Sequence, residues 1–325
     1  MVSEFGKPIV PCFPSLSPVL TICSLDSFPE SLRGGAVAIG NFDGVHLGHA
    51  RLIERLRAMA QTVGGPPVVF TFDPPPARIL RPQAAPEPLI WMDRKIEILS
   101  EMGVKGLLVY PTDRVFLNQE PRLFFHSVVR GRLGARAMVE GPNFFFGHNR
   151  SGNVELLREF CDGAKMPFEV TEPVVIEGQI VSSSRIRALV SAGRVGDAQK
   201  MLGRPYRIRG MIVHGAGRGA DLGFPTANVG HISTLLPGEA IYAARAHIDG
   251  KWYPAAVSLG PNPTFDEGGV KVEVHIIGFH GTIYNSLIEV DFLARLREIR
   301  RFASVDALVA QMARDVKRTI EIVGE

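Results

Sequence analysis

The sequence predicts an α/β half built on a mostly parallel sheet, followed by an all-β half that ends in a helix. Three observations carry this. From residue 35 to about 200, short apolar β-rich runs alternate with stretches of helical period, the pattern of strands joined by crossover helices. After residue 203, strand-type runs follow one another with only Gly, Pro, Asn or Asp turns between them, which reads as a small barrel or sandwich. From Ser304 onward, Val305, Leu308, Met312, Val316 and Ile320 form one apolar stripe, a helix with Ser304 as its N-cap.

The elements follow in order. Residues 1–19 contain Glu4, Lys7 and four prolines, so they form neither a spanning helix nor a signal peptide, and an N-terminal extension of a cytoplasmic protein is expected. AVAIG (36–40) reads as a buried strand, and Ala50, Leu52, Ile53, Leu56 and Met59 mark one face of the helix after it. VVFTF (68–72), LLVY (107–110) and AMVE (137–140) are further strands, with helices near 93–102, 121–132 and 153–161. YRIRGMIVHG, EAIYAARAHID, WYPAAVSLG, VKVEVHIIGF and SLIEVDFLARL are the strands of the second half. The boundary falls near GRPYR (203–207), giving domains over 20–203 and 204–325.

Composition narrows the function classes. With 46% apolar and 21% charged residues over 325 positions, the chain has ample material for two cores and is not disordered. A net charge of +3 points to no nucleic-acid or membrane partner. Arg295, Arg297, Arg300 and Arg301 form a basic run that would suit RNA, but arginines at that spacing are more ordinarily a solvated face. Cys12, Cys23 and Cys161 are odd in number and scattered, with no disulfide framework and no C-x-x-C, which fits a reducing compartment.

Four stretches carry chemistry. In GNFDGVHLGH (40–49) a strand ends at Gly40, a tight loop carries Asp43, and His46 and His49 flank Gly48 as a helix begins. Three residues apart, the imidazoles share a side, small Gly48 admits a ligand to the backbone, and the helix N-terminus seats phosphate. An isolated H-x-G-H reads equally as an idle loop; the strand before it and helix after it favour a site. SSSRIR (182–187) opens another helix, where serine hydroxyls and N-cap amides beside Arg185 and Arg187 suit phosphates. GPNFFFGHNRSG (141–152) follows a strand, with Asn143 as a base or flavin contact and each Phe more readily core. HGAGRGADLGFPTANV (214–229) fits G-x-G-x-x-A in letters, but Pro225 forbids the helix that fingerprint needs. What remains is a glycine-rich cradle followed by Thr226 and Asn228, neutral oxygens two apart on an extended segment, suited to a metal and phosphate. Glu273, flanked by Val272 and Val274, faces away from them, where a carboxylate can take a hydroxyl proton, although most strand glutamates merely meet solvent.

Together, GNFDGVHLGH, VVFTFDPPP, GPNFFFGHNRSG and SSSRIR resemble the nucleotidyltransferase module of bacterial bifunctional riboflavin kinase/FAD synthetases over residues 20–200. GRGADLGFPTAN, SLGPNPTF, VEVHIIGF and RRFASVDALVAQMARD resemble that family's flavokinase module over 204–322. The resemblance implies a Rossmann-like nucleotidyltransferase domain and a six-stranded flavokinase barrel. It implies phosphorylation of riboflavin to FMN with Mg2+ and ATP, then adenylylation of FMN to FAD. Carried over, His46 and His49 stabilise the transition state, Gly40, Asn41, Asp43 and Gly48 shape the ATP loop, and Ser183, Arg185 and Arg187 bind phosphate. Gly215, Gly217 and Gly219 form the second phosphate cradle, Thr226 and Asn228 hold Mg2+, Glu273 is the general base, and Asn143 and Phe224 touch flavin. Pro75 stands where the family pattern has His, and Ala220, Thr282, Asn285 and Ile299 also depart from it, which motivates an alternative: an adenylyltransferase whose impaired barrel only holds flavin.

Overall fold

A computed structural model of the protein describes residues 19–214, 222–262, 267–281 and 283–324. It has two compact units: residues up to Pro86 with Met92–Ile180, and Glu87–Trp91 with Val181–Glu325. The expected N-terminal extension and the glycine cradle at Gly215, Gly217 and Gly219 lie outside the described residues, as do Ala220 and Thr282.

The first unit is a six-stranded, wholly parallel sheet in the order β1-β4-β3-β2-β5-β6, made of β1 Leu20–Ile22, β2 Ala36–Ile39, β3 Pro67–Phe72, β4 Gly106–Tyr110, β5 Ala137–Glu140 and β6 Phe168–Val170. Helices on both faces explain why the central strands run apolar without alternation; every residue of β2 and of β5 is buried. Helix α1 (Leu47–Thr62) buries Leu52, Ile53, Leu56 and Ala60. Helix α2 spans Met92–Glu101 and α3 spans Val154–Gly163. The helix expected over 121–132 is instead a single turn at Pro121–Leu123 running into a π-wound stretch, Phe124–Arg132, whose exit is marked by the Leu133 amide bonding to the Val128 carbonyl. The edge strands β1 and β6 are only three residues long and gave no periodic signal. A small hairpin, β7 (Val175–Ile176) with β8 (Gln179–Ile180), closes this unit.

From β2 the chain moves outward to β3 and β4, then crosses to β5 and β6 on the opposite side. The loops after β2 and β5 therefore leave in opposite directions from adjacent strands, opening a crevice at the carboxyl ends, where parallel sheets bind ligands.

The second unit begins with helices α4 (Ser183–Ser191) and α5 (Val195–Leu202) and continues into a closed antiparallel barrel ordered β10-β13-β12-β11-β14-β9. Its strands are β9 Tyr206–Val213, β10 Ala227–Gly230, β11 Ala240–Ile248, β12 Lys251–Asn262, β13 Glu267–Ile276 and β14 Leu287–Arg297. Five follow from sequence alternation; the sixth, β10, is the extended segment carrying Asn228. Tyr206, Tyr242, Val257, Val274, Ile288 and Phe292 fill the interior.

Helix α6 (Val305–Gly324) closes the chain, and the Ser304 hydroxyl caps it by accepting the Ala307 amide at 3.2 Å. Its inward face corrects the expected stripe. Val305 and Ile320 are 47% and 49% exposed, whereas Asp315 and Thr319 are buried. The reason is an ion pair: Arg297 on β14 holds Asp315 at 2.8 Å, turning a polar residue inward that the apolar pattern places outside.

Candidate functional site

In the first unit the loop Gly40–His46 runs from β2 to α1 beside the crevice. Gly40 continues the ladder by donating its amide to Phe70 at 2.9 Å. The loop then turns through left-handed backbone at Phe42 (φ 45°), Gly44 (φ 77°) and Val45 (φ 38°). That is costly for a phenylalanine and a β-branched valine, and both are buried, so packing holds them there. His46 caps α1: its Nδ1 accepts the His49 amide at 3.3 Å. With Nδ1 accepting, the neutral ring carries its proton on Nε2, which is a donor. The His49 ring lies parallel to it at 3.7 Å between centroids and 13° between planes, and Phe42 packs 5.0 Å from His49. The sequence spacing thus produces a stacked imidazole pair at a helix N-terminus, with Gly48 in the first helical turn.

The loop rests on buried polar groups that the sequence reading missed. The Asn41 carbonyl accepts from the Lys95 ammonium at 2.8 Å and from the Thr71 hydroxyl at 3.2 Å, while the Asn41 side chain faces solvent. Burial lowers the Lys95 pKa from the ordinary lysine value, opposed by the charges of Asp43 and Asp73. Burial raises the Asp73 pKa, opposed by Lys95. At the switch point, β2 and β5 pair at Ala36 and Val37, and the Ile39 amide beyond them is taken at 2.8 Å by the Glu140 carboxyl. Enclosure pushes Glu140 well above the usual carboxylate range, only partly countered by that amide. Nothing in the pattern MDRKIEIL or AMVE marks the lysine or the glutamate as buried.

The loop after β5 leaves Asn143 exposed. Phe146 is core and Phe144 stacks on it at 5.5 Å, whereas Phe145 departs from the core expectation: it lies outside under the Arg150 guanidinium at 4.3 Å. In the second unit Ser182 caps α4 by accepting the Arg185 amide at 3.2 Å, and Ser183 is the first helical residue. Arg185 is exposed, and Arg187 gives its Nε to the Glu87 carbonyl at 3.0 Å.

The barrel brings two other candidates, Asn228 and Glu273, together. Asn228 on β10 pairs directly with Glu273 on β13, which pairs on its other side with Ser258 on β12. Residues directly opposite across antiparallel strands share a face, so Asn228, Glu273 and Ser258 form one row. That row is on the outer surface, because Val272, Val274 and Ile276 turn inward. Thr226 lies two residues before Asn228. Phe224 packs edge-on against His275 at 5.4 Å, and His275 donates Nδ1–H to the Pro225 carbonyl at 2.8 Å. Ser258 was not anticipated; its only signal was its place in SLGPNPTF. Asn285, where a glycine is the family's habit, is left-handed at φ 61°, a conformation asparagine tolerates. Ile299 packs over Gly260, where a Cβ would come within 2.5 Å of its Cδ1.

The fold and the two constellations fit a transferase class: an α/β unit with a stacked-histidine loop at its switch point, and a barrel with a hydroxyl, amide and carboxylate row. Residues 28–185 match the family model described as FAD synthetase, and residues 202–323 the one described as riboflavin kinase. Bifunctional riboflavin kinase/FMN adenylyltransferase of Bacillus subtilis is 32% identical over 90% of this chain and 93% of its own length; that of Pseudomonas fluorescens is 33% identical over 87% and 91%. A crystal structure described as a macrolide-efflux protein from Streptococcus pneumoniae superposes with a TM-score of 0.83 at 31% identity, covering 93% of this chain and 98% of that one. Among the described residues no helix is long and apolar enough to cross a membrane. The chain belongs to the bifunctional riboflavin kinase/FMN adenylyltransferase family.

Proposed function

We propose that this cytoplasmic protein phosphorylates riboflavin to FMN with ATP and then transfers an adenylyl group from a second ATP to FMN, releasing pyrophosphate. The observation that carries the reading is the stacked His46–His49 pair at the start of α1. Adenylyl transfer needs no protein nucleophile; the FMN phosphate attacks, and catalysis consists of stabilising charge on the α-phosphate and on departing pyrophosphate. Nε2–H of His46 and the dipole of α1 supply that positive potential. Gly40, Asn41, Asp43 and Gly48 shape the nucleotide loop, Ser183, Arg185 and Arg187 bind phosphate, and Asn143 touches flavin. The adenylyltransferase domain spans 20–203 and the kinase domain 204–325.

In the barrel, Glu273 takes the proton from the riboflavin 5′-hydroxyl as it attacks the γ-phosphate, Asn228 orients it from the neighbouring strand, and Phe224 contacts flavin. Gly215, Gly217 and Gly219 supply the phosphate cradle. Hard oxygen donors from Thr226 and Asn228 fit Mg2+, which keeps most of its shell as phosphate and water. Among the described residues no group of three or more His, Cys, Asp or Glu is placed to hold a metal ion. When bound, Mg2+ neutralises charge on the transferring phosphate.

The test is product analysis. Riboflavin with Mg-ATP is expected to give FMN and then FAD, and FMN with Mg-ATP to give FAD and pyrophosphate. Failure to form FAD from FMN overturns the adenylyltransferase reading; failure to form FMN from riboflavin overturns the kinase reading. Among the described residues of the barrel, no observation favours an impaired kinase.

A further inference from the structure

Among the described residues of the first unit, Lys95 is the most enclosed lysine or arginine. It sits on α2, is 5% exposed, and reaches under the nucleotide loop to the Asn41 carbonyl at 2.8 Å. Burying an ammonium is unfavourable unless it is paired and hydrogen-bonded, so its position calls for compensation. Two carboxylates, Asp43 in the loop and Asp73 after β3, supply it by charge. The loop in turn needs an anchor. Its left-handed residues Phe42 and Val45 hold a conformation that side chains of this bulk rarely adopt. From the anchored carbonyl a short chain of contacts leads to the chemistry: Asn41 precedes Phe42, Phe42 packs on His49, and His49 stacks on His46.

Resting on the adenylyltransferase reading above, we propose that Lys95 is a positioning residue for adenylyl transfer. Its ammonium pins the Asn41 carbonyl and so fixes the stacked imidazoles. It also offsets Asp43 and Asp73, which otherwise repel a triphosphate. It touches no reacting atom.

The test compares full-length Lys95→Met and Lys95→Gln with the unaltered protein. Steady-state FAD formation from FMN and Mg-ATP is read as separate kcat and KM values, beside riboflavin phosphorylation and thermal melting of the same preparations. Misplacing the imidazoles by about 1 Å is expected to cost on the order of 100-fold in kcat. Removing the charge is expected to raise KM for ATP as well, while riboflavin phosphorylation and melting stay near the unaltered values. Lys95→Gln keeps a donor for Asn41 without the charge, so it is expected to recover part of kcat but none of the KM increase. A folded Lys95→Met with unchanged FAD synthesis overturns the proposal. If that variant does not fold, Lys95→Gln decides by the same criteria; if neither folds, Lys95 is a stability element and the proposal is overturned. Absence of FAD synthesis by the unaltered protein strikes the underlying reading instead.

Discussion

His46 carries two separable duties, and a pair of substitutions divides them. Its Nδ1 accepts the His49 amide as the N-cap of α1, and its ring, with Nε2–H as a donor, is one half of the stacked imidazole pair. His46→Ala removes both duties. His46→Asn keeps a capping oxygen, since asparagine ranks among the best N-caps, but removes the imidazole. Loss of an N-cap costs about 0.5–2 kcal/mol, and at 3.3 Å this long bond belongs to the lower half of that range. In a unit of this size that lowers the melting temperature by roughly 2–4 °C. Loss of a donor to developing phosphate charge costs about 10²–10³ in kcat, or ~2.7–4 kcal/mol of barrier. Calorimetry is therefore expected to separate the variants, with only His46→Ala destabilised, while FAD formation from FMN falls equally in both. Because the rings stack, adding His49→Ala to His46→Asn is expected to cost less than the sum of the single losses. Riboflavin phosphorylation in the same tube reports whether the rest of the protein is intact. Near-normal FAD synthesis by His46→Asn would reduce His46 to a cap, and a parallel fall of riboflavin phosphorylation would refute separate sites.

Glu273→Gln is expected to lower riboflavin phosphorylation by about 10²–10⁴ through loss of the base, with FMN adenylylation unchanged, read by chromatography of both reactions. Asp291 is 1% exposed and accepts from Arg207 and from Arg245 at 2.9 Å; Asp291→Asn is expected to cost about 3–5 kcal/mol in chemical denaturation, and a loss below about 1 kcal/mol would mean the arginines find water instead. Glu140 has its carboxyl pKa raised by burial, so the folded state holds its proton longer than the unfolded chain does. Its contribution is fully present below about pH 4.3 and is lost as pH rises towards the folded pKa. Glu140→Gln cannot ionise and still accepts from Ile39, so its melting temperature is expected to match the unaltered protein in acid and exceed it increasingly towards neutrality; parallel curves would show that Glu140 is ionised when folded.

The sequence made legible what depends on repetition. The alternation of AVAIG with the Leu52, Ile53 and Leu56 face needs only the periods of strand and helix, and the barrel strands announce themselves by inward valines such as Val272 and Val274. The H-x-G-H spacing is likewise local, so the imidazole stack follows once the helix starts at Leu47. What stayed hidden is long-range. Lys95 meets Asn41 across 54 residues and Glu140 meets Ile39 across 101, and nothing in their own neighbourhoods records the partner. Asp315 is the same case: its inward turn is dictated by Arg297 on a different element, which no helical period contains.

The two constellations also differ in where their folds permit chemistry. A parallel sheet with a switch point opens a crevice where adjacent loops part, so the first site lies at strand ends and can use a helix dipole. A six-stranded barrel has no such opening. Its interior is filled by buried side chains such as Tyr242, Val257, Val274 and Phe292. A polar row in this barrel must therefore stand on the outside, and strand alternation puts Asn228, Glu273 and Ser258 there by placing their valine neighbours within. Among the described residues no helix begins at that row, so under the kinase reading proposed above positive potential for a phosphate would come from loops and a cation. Under that same kinase reading, hard oxygen donors at Thr226 and Asn228 in place of paired imidazoles would follow from barrel geometry as much as from the reaction.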